Sequence, residues 1–162
     1  MTFKTTDICD EFPDKISICA PIFTSYGAAR SFSGRISTVK VHEDNVLVRE
    51  ALENAPAGTV LVVDGGGSKR CALLGDKLAS IAASRNLAGI IVNGCVRDSK
   101  ELADIEVGIL ALATHPLKSK KAGEGERDVP VEFGGVAWTP GDYVYADEDG
   151  AVLSTDELQY DE

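Results

Sequence analysis

The stretch TVLVVDGGGSKRCALLGDKLASIAASRNLAGIIVNGCV, residues 59–96, decides the fold. It contains two predominantly apolar runs, VLVV at 60–63 and GIIVNGCV at 89–96. Such runs are typical of strands that are buried on both faces. The intervening segment GDKLASIAASRNLAG, 75–89, has its apolar residues at helical spacing. The order strand, helix, strand predicts a βαβ unit, and therefore a parallel pair of strands with a right-handed crossover.

The flanking segments predict further elements around this unit. A short helix is expected at 5–12, a strand at 34–41, a helix within 43–58, one or two helical turns at 98–105 and a strand at 107–115. Charge, Gly and Ser make up most of 118–128, KSKKAGEGERD, which is typical of a mobile loop. The segment 129–154 is β-rich and has the turn sequences TPGD and DEDG. We therefore expect residues 1–162 to form a single mixed α/β domain with a βαβ core.

The composition narrows the possible functions. The chain has 162 residues, 44% hydrophobic and 26% charged, and a net charge of -10. Its length suits one domain with a sizeable core. So acidic a protein is not expected to bind nucleic acid directly, because phosphate contacts need clustered Lys and Arg. A small anionic substrate would need a locally basic site within this negative field.

The sequence also bears on the compartment. The cysteines Cys9, Cys19, Cys71 and Cys95 form no C-x-x-C pair, which argues against a zinc site. The N-terminus has no apolar stretch of the kind found in secretory signals. No apolar run reaches the roughly 18–20 residues of a membrane span. We expect a cytoplasmic protein with free thiols, two of which, Cys71 and Cys95, belong to the core.

The three glycines at 65–67 allow two interpretations. A glycine run after a strand lets the backbone approach a ligand closely. A dinucleotide site, however, needs G-x-G-x-x-G running directly into a helix. Here the glycines are contiguous, and SKRCALL at 68–74 separates them from the helix. A tight loop that permits close packing is the favoured interpretation.

The sequence GDKL, Gly75 to Leu78, lies where the helix predicted within 75–89 begins. Free backbone N–H groups at the N-terminus of a helix attract an anion, so a carboxylate could bind there. The alternative is a simple N-cap by the side chain of Asp76.

Arg97 and Asp98 follow the second buried strand directly. Ligands of α/β sheets bind at the carboxyl ends of the strands. The guanidinium of Arg97 matches a carboxylate, and Asp98 offers the hard oxygen that Mg²⁺ prefers. Together they could hold a 2-oxo acid, with Arg97 on the carboxylate and a metal ion on the keto oxygen. A surface salt bridge or a helix cap is the alternative.

Several motifs resemble those of one family over nearly the whole chain. They are FSGRISTVKVHEDN (32–45), VLVVDGGGSKRCALLGDKLA (60–79), AGIIVNGCVRDSKEL (88–102), GILALATHPLKS (108–119) and YVYADEDGAVLS (143–154). The chain resembles the RraA-like family, which includes the regulator of ribonuclease activity A. The resemblance implies a swivelling β/β/α-type domain that assembles as a homotrimer, with sites near the subunit boundaries.

The family has two functional branches. One resembles the founding regulator, which binds ribonuclease E and inhibits it. The other is similar to class II 4-hydroxy-4-methyl-2-oxoglutarate aldolase, which depends on a divalent metal such as Mg²⁺ or Mn²⁺ and also decarboxylates oxaloacetate. The resemblance to the second branch implies cleavage of the substrate to two pyruvates, with a ribonuclease E regulator as the alternative.

The aldolase branch carries a Gly-Asp, an Arg-Asp after a fixed gap and an acid three residues beyond. Gly75-Asp76, Arg97-Asp98 and Glu101 match this pattern, with 20 residues between Asp76 and Arg97. The resemblance implies that Asp98 anchors the metal through its water shell and that Arg97 binds substrate. It implies that the amides of Gly75, Asp76, Lys77 and Leu78 hold the pyruvyl carboxylate. Asp76 would also position the water that moves protons.

Longer aldolases of the family have C-terminal extensions that can supply an acid to the site of a neighbouring subunit. The present sequence ends at Glu162. We expect either Glu43, Asp44 or no acid at all to take that place.

Overall fold

The computed structural model describes residues 2–159. Its helices and strands, in chain order, are α1 (Thr5–Glu11), β1 (Ile16–Ile18), β2 (Thr24–Ser25), β3 (Phe32–Lys40), α2 (Val46–Asn54), β4 (Val60–Asp64), β5 (Ala72–Leu74), α3 (Asp76–Ser84), β6 (Gly89–Val96), α4 (Ser99–Leu102), β7 (Gly108–Thr114), β8 (Glu126–Arg127), β9 (Val131–Phe133), β10 (Val136–Trp138), β11 (Tyr143–Asp147) and β12 (Gly150–Ser154). None of the helices within 2–159 is long and apolar enough to cross a bilayer.

The large sheet is mixed. Its strands follow the order β1-β12-β11-β3-β4-β6-β7-β2, with β5 paired to β6 and β8 paired to β3. The neighbours β3, β4, β6 and β7 are parallel, whereas β1, β11 and β12 join by antiparallel pairing. The parallel pair β4 and β6, connected through α3, confirms the predicted βαβ unit and the mixed α/β class.

The central strands carry apolar residues on both faces because both faces are covered. Along β4, Leu61 and Val63 pack in the cluster that includes residues of α2 and α3. The alternate residues Val60 and Val62 pack in a second cluster, with Trp138 and the β-rich C-terminal segment. Successive side chains of a strand point to opposite faces, so a strand packed between two apolar layers has apolar residues at successive positions.

Two regions differ from the sequence-based expectation. The segment 68–74, expected to be a connection, contains β5, which pairs with Cys95 and Val96 at the end of β6, beyond the residues that pair with β4. The segment 118–128, predicted as a mobile loop, is held to the domain. Ser119 is buried, Asp128 donates its N–H to the carbonyl of Thr38, and β8 pairs with β3. The predicted core thiols at positions 71 and 95 are buried.

Candidate functional site

A cleft of about 370 Å³ lies where the N-terminus of α3 meets the carboxyl end of β6. The first residues of α2 and a basic segment after β7 form its other walls. We call this segment, residues 117–124, the lysine segment. All six site residues proposed from the sequence line the cleft, namely Gly75, Asp76, Lys77, Leu78, Arg97 and Asp98. Residues separated by a whole βα unit therefore face one volume.

The two sequence motifs meet through a hydrogen bond. The backbone N–H of Asp76 donates to Oδ2 of Asp98 over 3.0 Å. Gly75 is the N-cap of α3, and a Cβ placed on it would lie 2.7 Å from Oδ2 of Asp98. The Asp98 carboxylate thus caps α3 from outside the helix, whereas the alternative of a cap by the Asp76 side chain is wrong because that side chain makes no cap bond.

The start of α3 retains donors for an anion. The N–H groups of the first helical turn have no acceptor within their own helix. The Asp98 carboxylate accepts only the first of them, from Asp76. The N–H groups of Lys77 and Leu78 follow in the same turn, at the positive end of the helix dipole. These two amides are the ones that suit a substrate carboxylate.

Arg97 lies beside this turn. Its backbone N–H donates to the carbonyl of Leu74, which fixes the residue next to Gly75. Its guanidinium makes one long contact, 3.5 Å from Nη1 to the carbonyl of Pro116. No carboxylate among residues 2–159 lies within ion-pair distance of Arg97. The fork of Arg97 therefore remains available for a ligand, and the alternative of a surface salt bridge with Asp98 is wrong.

The lysine segment brings two further cations to the cleft. Lys118 and Lys121 line it, and Nζ of Lys121 donates to Oδ1 of Asn45 over 3.0 Å. The cleft has five basic side chains and four acidic ones, Arg49, Lys77, Arg97, Lys118 and Lys121 against Glu50, Glu53, Asp76 and Asp98. The site is locally basic within a protein of net charge -10, as a small anionic substrate requires.

Asp98 is the residue suited to hold a divalent metal. Its second carboxylate oxygen is free of hydrogen bonds to residues 2–159, because only Oδ2 is bound. No group of three or more His, Cys, Asp or Glu side chains in this described part of the chain converges as a metal cage. Mg²⁺ is commonly held by one or two carboxylates and several waters, so the residues fit an ion that Asp98 anchors largely through water.

The remaining acids considered from the sequence lie elsewhere. Glu101 is exposed on α4 and does not line the cleft. Oε2 of Glu43 accepts hydrogen bonds from Ser68 and Arg70, both over 2.6 Å. Those bonds, that from Arg70 above all, lower the pKa of Glu43 to about 2. Asp44 is completely buried and bonded to backbone amides. Neither Glu43 nor Asp44 lines the cleft.

The glycines at 65–67 form a closed turn. The N–H groups of Gly65 and Gly67 donate to the carbonyl of Asn93, and that of Gly66 donates to Oδ1 of Asp64. Gly66 and Gly67 have positive φ angles of 67° and 74°, which favour glycine. Because the amides are bound internally, this turn has no donors for a phosphate. The structure supports the tight-loop interpretation.

The sequence matches a known family and its curated members. The profile of the RraA-like family, described as Aldolase/RraA, matches residues 5–153. A protein of Bacillus cereus, provisionally named 4-hydroxy-4-methyl-2-oxoglutarate aldolase, is 59% identical over 156 residues. This alignment covers 96% of the present chain and 98% of that protein.

Two solved structures are similar to this one. The first, from Geobacillus kaustophilus HTA426, is described as an S-adenosylmethionine:2-dimethylmenaquinone methyltransferase. It has a TM-score of 0.95 and 60% identity, covering 96% of this chain and 97% of that one. The second, the RNA-processing inhibitor RraA of Thermus thermophilis, has a TM-score of 0.94 and 46% identity, covering 98% and 96%. These matches extend over nearly the whole chain and show that it belongs to the RraA-like family.

Proposed function

We propose that this protein is a divalent metal-dependent lyase that cleaves 4-hydroxy-4-methyl-2-oxoglutarate to two pyruvates. The observation that carries the proposal is the cleft itself. Arg97, the metal-suited carboxylate of Asp98 and the free amides at the start of α3 face one locally basic volume. High identity to proteins provisionally named as aldolases of this substrate supports the same function.

The two ends of the substrate meet different donors. The carboxylate next to the 2-oxo group binds the amides of Lys77 and Leu78, and Arg97 reaches it with a planar pair of N–H groups. Lys118 and Lys121 lie on another wall of the cleft and suit the second carboxylate. Binding at both ends orients the bond between C3 and C4 for cleavage.

Cleavage begins at the C4 hydroxyl. Asp76 accepts its proton through a water, the bond between C3 and C4 breaks, and the electron pair passes into the enolate of pyruvate. Return of a proton to C3 gives the second pyruvate. A bound Mg²⁺ or Mn²⁺ supplies positive charge that stabilises the developing enolate. Oxaloacetate loses CO₂ to give the same enolate, so we propose decarboxylation as a second activity of this site.

A coupled assay of pyruvate release tests this proposal. It is run with 4-hydroxy-4-methyl-2-oxoglutarate and with oxaloacetate, in Mg²⁺ or Mn²⁺ and then in EDTA. We expect metal-dependent turnover that falls by at least about a hundredfold in Asp98→Asn. Asn tolerates the positive φ of 61° at position 98, so this variant preserves the backbone. Turnover that EDTA leaves unchanged, or its absence with both substrates, would contradict the proposal.

Regulation of a ribonuclease is the second candidate. It is favoured by the similarity to the RNA-processing inhibitor RraA, at 46% identity over nearly the full chain. An acidic protein also suits partners with basic segments. Mixing the purified protein with ribonuclease E in a pull-down and a cleavage assay tests it. Lack of both binding and inhibition would exclude this candidate.

Methyl transfer is not carried over from the Geobacillus structure. A nucleoside cofactor commonly uses a glycine-rich turn with free amides at the start of a helix. Here the turn at 65–67 leads to β5, and its amides are bound internally. The cleft at the start of α3 is lined by no aromatic side chain of the described residues 2–159 for stacking an adenine.

We propose that the protein assembles as a homotrimer, as the family resemblance implies. In such an assembly a subunit boundary near the site would cover Leu117, which is large, apolar and 58% exposed. It directly follows Pro116, which contacts Arg97 of the cleft. An apolar side chain at this place suits a subunit boundary near the site.

A further inference from the structure

The buried carboxylate of Asp44 holds the lysine segment to the start of α2. Its Oδ2 accepts N–H groups from Ala122, Gly123 and Glu124, over 3.0, 2.9 and 3.1 Å. Its Oδ1 accepts the N–H of Val46 over 3.1 Å. These four donors come from two segments that are nearly 80 residues apart in the chain. Asp44 therefore connects the start of α2 to the segment that forms one wall of the cleft.

The charge of Asp44 is compensated by amides alone. Burial raises the pKa of Asp44, but the four backbone hydrogen bonds outweigh this and place the pKa below its ordinary value. Asp44 is completely buried, and no Lys or Arg within residues 2–159 forms an ion pair with it. Removing the carboxylate would leave three adjacent N–H groups without their acceptor.

The contacts of Asp44 hold the backbone of the lysine segment next to Lys121. Lys121 directly precedes the three amides bound by Asp44, and its Nζ reaches Oδ1 of Asn45. The N–H of Lys120 donates to the carbonyl of Glu43, which fixes the segment at a second point. A backbone held on both sides of Lys121 limits where its ammonium can lie, although the side chain itself is long.

We propose that Asp44 is a positioning residue that sets Lys121 on the cleft wall, and thereby selects 2-oxo acids with a second carboxylate. The inference rests on the proposed function, because the second carboxylate belongs to that substrate. Asp44 touches no substrate. It acts through the backbone of the lysine segment, and pyruvate, with one carboxylate, does not depend on it.

Equilibrium binding of two probes to the full-length protein tests this role. The probes are 2-oxoglutarate, a dicarboxylate without the 4-hydroxyl group needed for cleavage, and pyruvate. We expect Asp44→Ala to weaken 2-oxoglutarate binding about tenfold, as loss of one charged contact does, and pyruvate binding less than about twofold. Asp44→Asn keeps one acceptor oxygen, so it should weaken 2-oxoglutarate binding less than Asp44→Ala does. If Asp44→Ala does not fold, Asp44→Asn still tests the proposal by comparison with the unmodified protein.

Two further variants separate positioning from general stability. Asp64→Asn is the matched control, because Asp64 is also a buried aspartate. It lies at the end of β4 and accepts hydrogen bonds from Gly66 and Asn93, away from the cleft. Asp64→Asn should leave the binding of both probes unchanged. Lys121→Met should weaken 2-oxoglutarate as Asp44→Ala does, and the double variant should be no weaker, since both changes remove one interaction.

Hydrogen exchange reports on the anchorage without any ligand. The amides of Ala122, Gly123 and Glu124 should exchange at least about tenfold faster in Asp44→Ala but not in Asp64→Asn. Equal weakening of both probes, additive effects in the double variant, or unchanged exchange at the three amides would each overturn the proposal. If the unmodified protein binds neither probe, the proposed function fails, whereas the exchange rates still decide whether Asp44 anchors the segment.

Discussion

Gly75 matters because of the space it leaves. Its φ of -132° is open to any residue, so conformational freedom is not the reason for glycine here. A Cβ at this position would lie 2.7 Å from Oδ2 of Asp98 and 3.4 Å from Cγ of Arg97. The close approach of the two site motifs therefore requires a residue without a side chain.

Gly75→Ala should displace the Asp98 carboxylate and lower kcat about a hundredfold, because a shift of about 1 Å at a reacting centre has that effect. Unfolding in urea should change little, since the backbone conformation is allowed. The matched control is Gly94→Ala, whose added methyl would lie 3.4 Å from its nearest neighbour. Equal loss of activity in both variants would contradict this explanation.

The ion pair of Glu43 with Arg70 makes a pH-dependent contribution to stability. The bonds from Arg70 and Ser68 lower the pKa of Glu43 from 4.5 to about 2. A carboxyl whose pKa is lowered by folding stabilises the protein above its unfolded pKa, and that stability is lost as the pH falls through the folded value. We expect the unmodified protein to lose stability between about pH 4.5 and 2, relative to Glu43→Gln. Urea unfolding across this range checks it, and parallel curves for the two proteins would contradict it.

At the scale of single residues, the sequence supplied candidates but not their partners. Arg97 and Asp98 were recognisable because polar residues directly follow a buried strand. Lys118 and Lys121 were recognisable only as part of a cationic patch, not as part of the site, since a charged, Gly-containing segment is typical of a solvated loop. Only the fold brings that segment across the carboxyl end of β6, through backbone pairing of 72 with 117 and 118.

Among the secondary-structure elements, β6 and β7 place two glycines opposite one another. Gly89 and Gly108 are register partners at the start of these strands. The ring of Phe32, at the start of β3, lies over both, and a Cβ on either glycine would overlap it. The phenyl group thus fills a depression that the two glycines leave in the sheet surface.

Gly108→Ala should lower the free energy of unfolding by about 1–3 kcal/mol, as overpacking of a buried site does. Adding Phe32→Leu should restore part of the loss, because the smaller side chain leaves room for the methyl group. Urea unfolding of the two single variants and the double variant measures the coupling. Strictly additive effects would show that the ring and the glycine do not compete for this space.

The elements of the buried core were predictable from the sequence, whereas the short strand β5, which pairs with the end of β6, was not. Continuous apolar runs identify β4 and β6, and helical spacing identifies α3. β5 has three residues, and nothing in its own sequence indicates pairing. It forms because β4 pairs with β6 only as far as Asn93, which leaves the end of that edge of β6 for another strand.

For the whole molecule, assembly is the main prediction. Analytical ultracentrifugation should give a mass three times that of the 17.1 kDa chain. Leu117→Glu should shift this equilibrium towards the monomer, because a charge in an apolar contact is unfavourable, while the exposed position protects the fold of each subunit. A single-chain mass at micromolar concentration would contradict the trimer.

The sequence by itself determined the βαβ core, the acidic character and the two motifs of the site. These depend on local periodicity and composition, which each segment carries independently of the others. Only the tertiary structure decided that Asp98 caps α3, that the lysine segment forms a wall of the cleft, and that Asp44 anchors this segment. These contacts join groups from about 20 to nearly 80 residues apart. Such pairings arise from sheet order and packing, which the spacing of residues along the chain does not reveal.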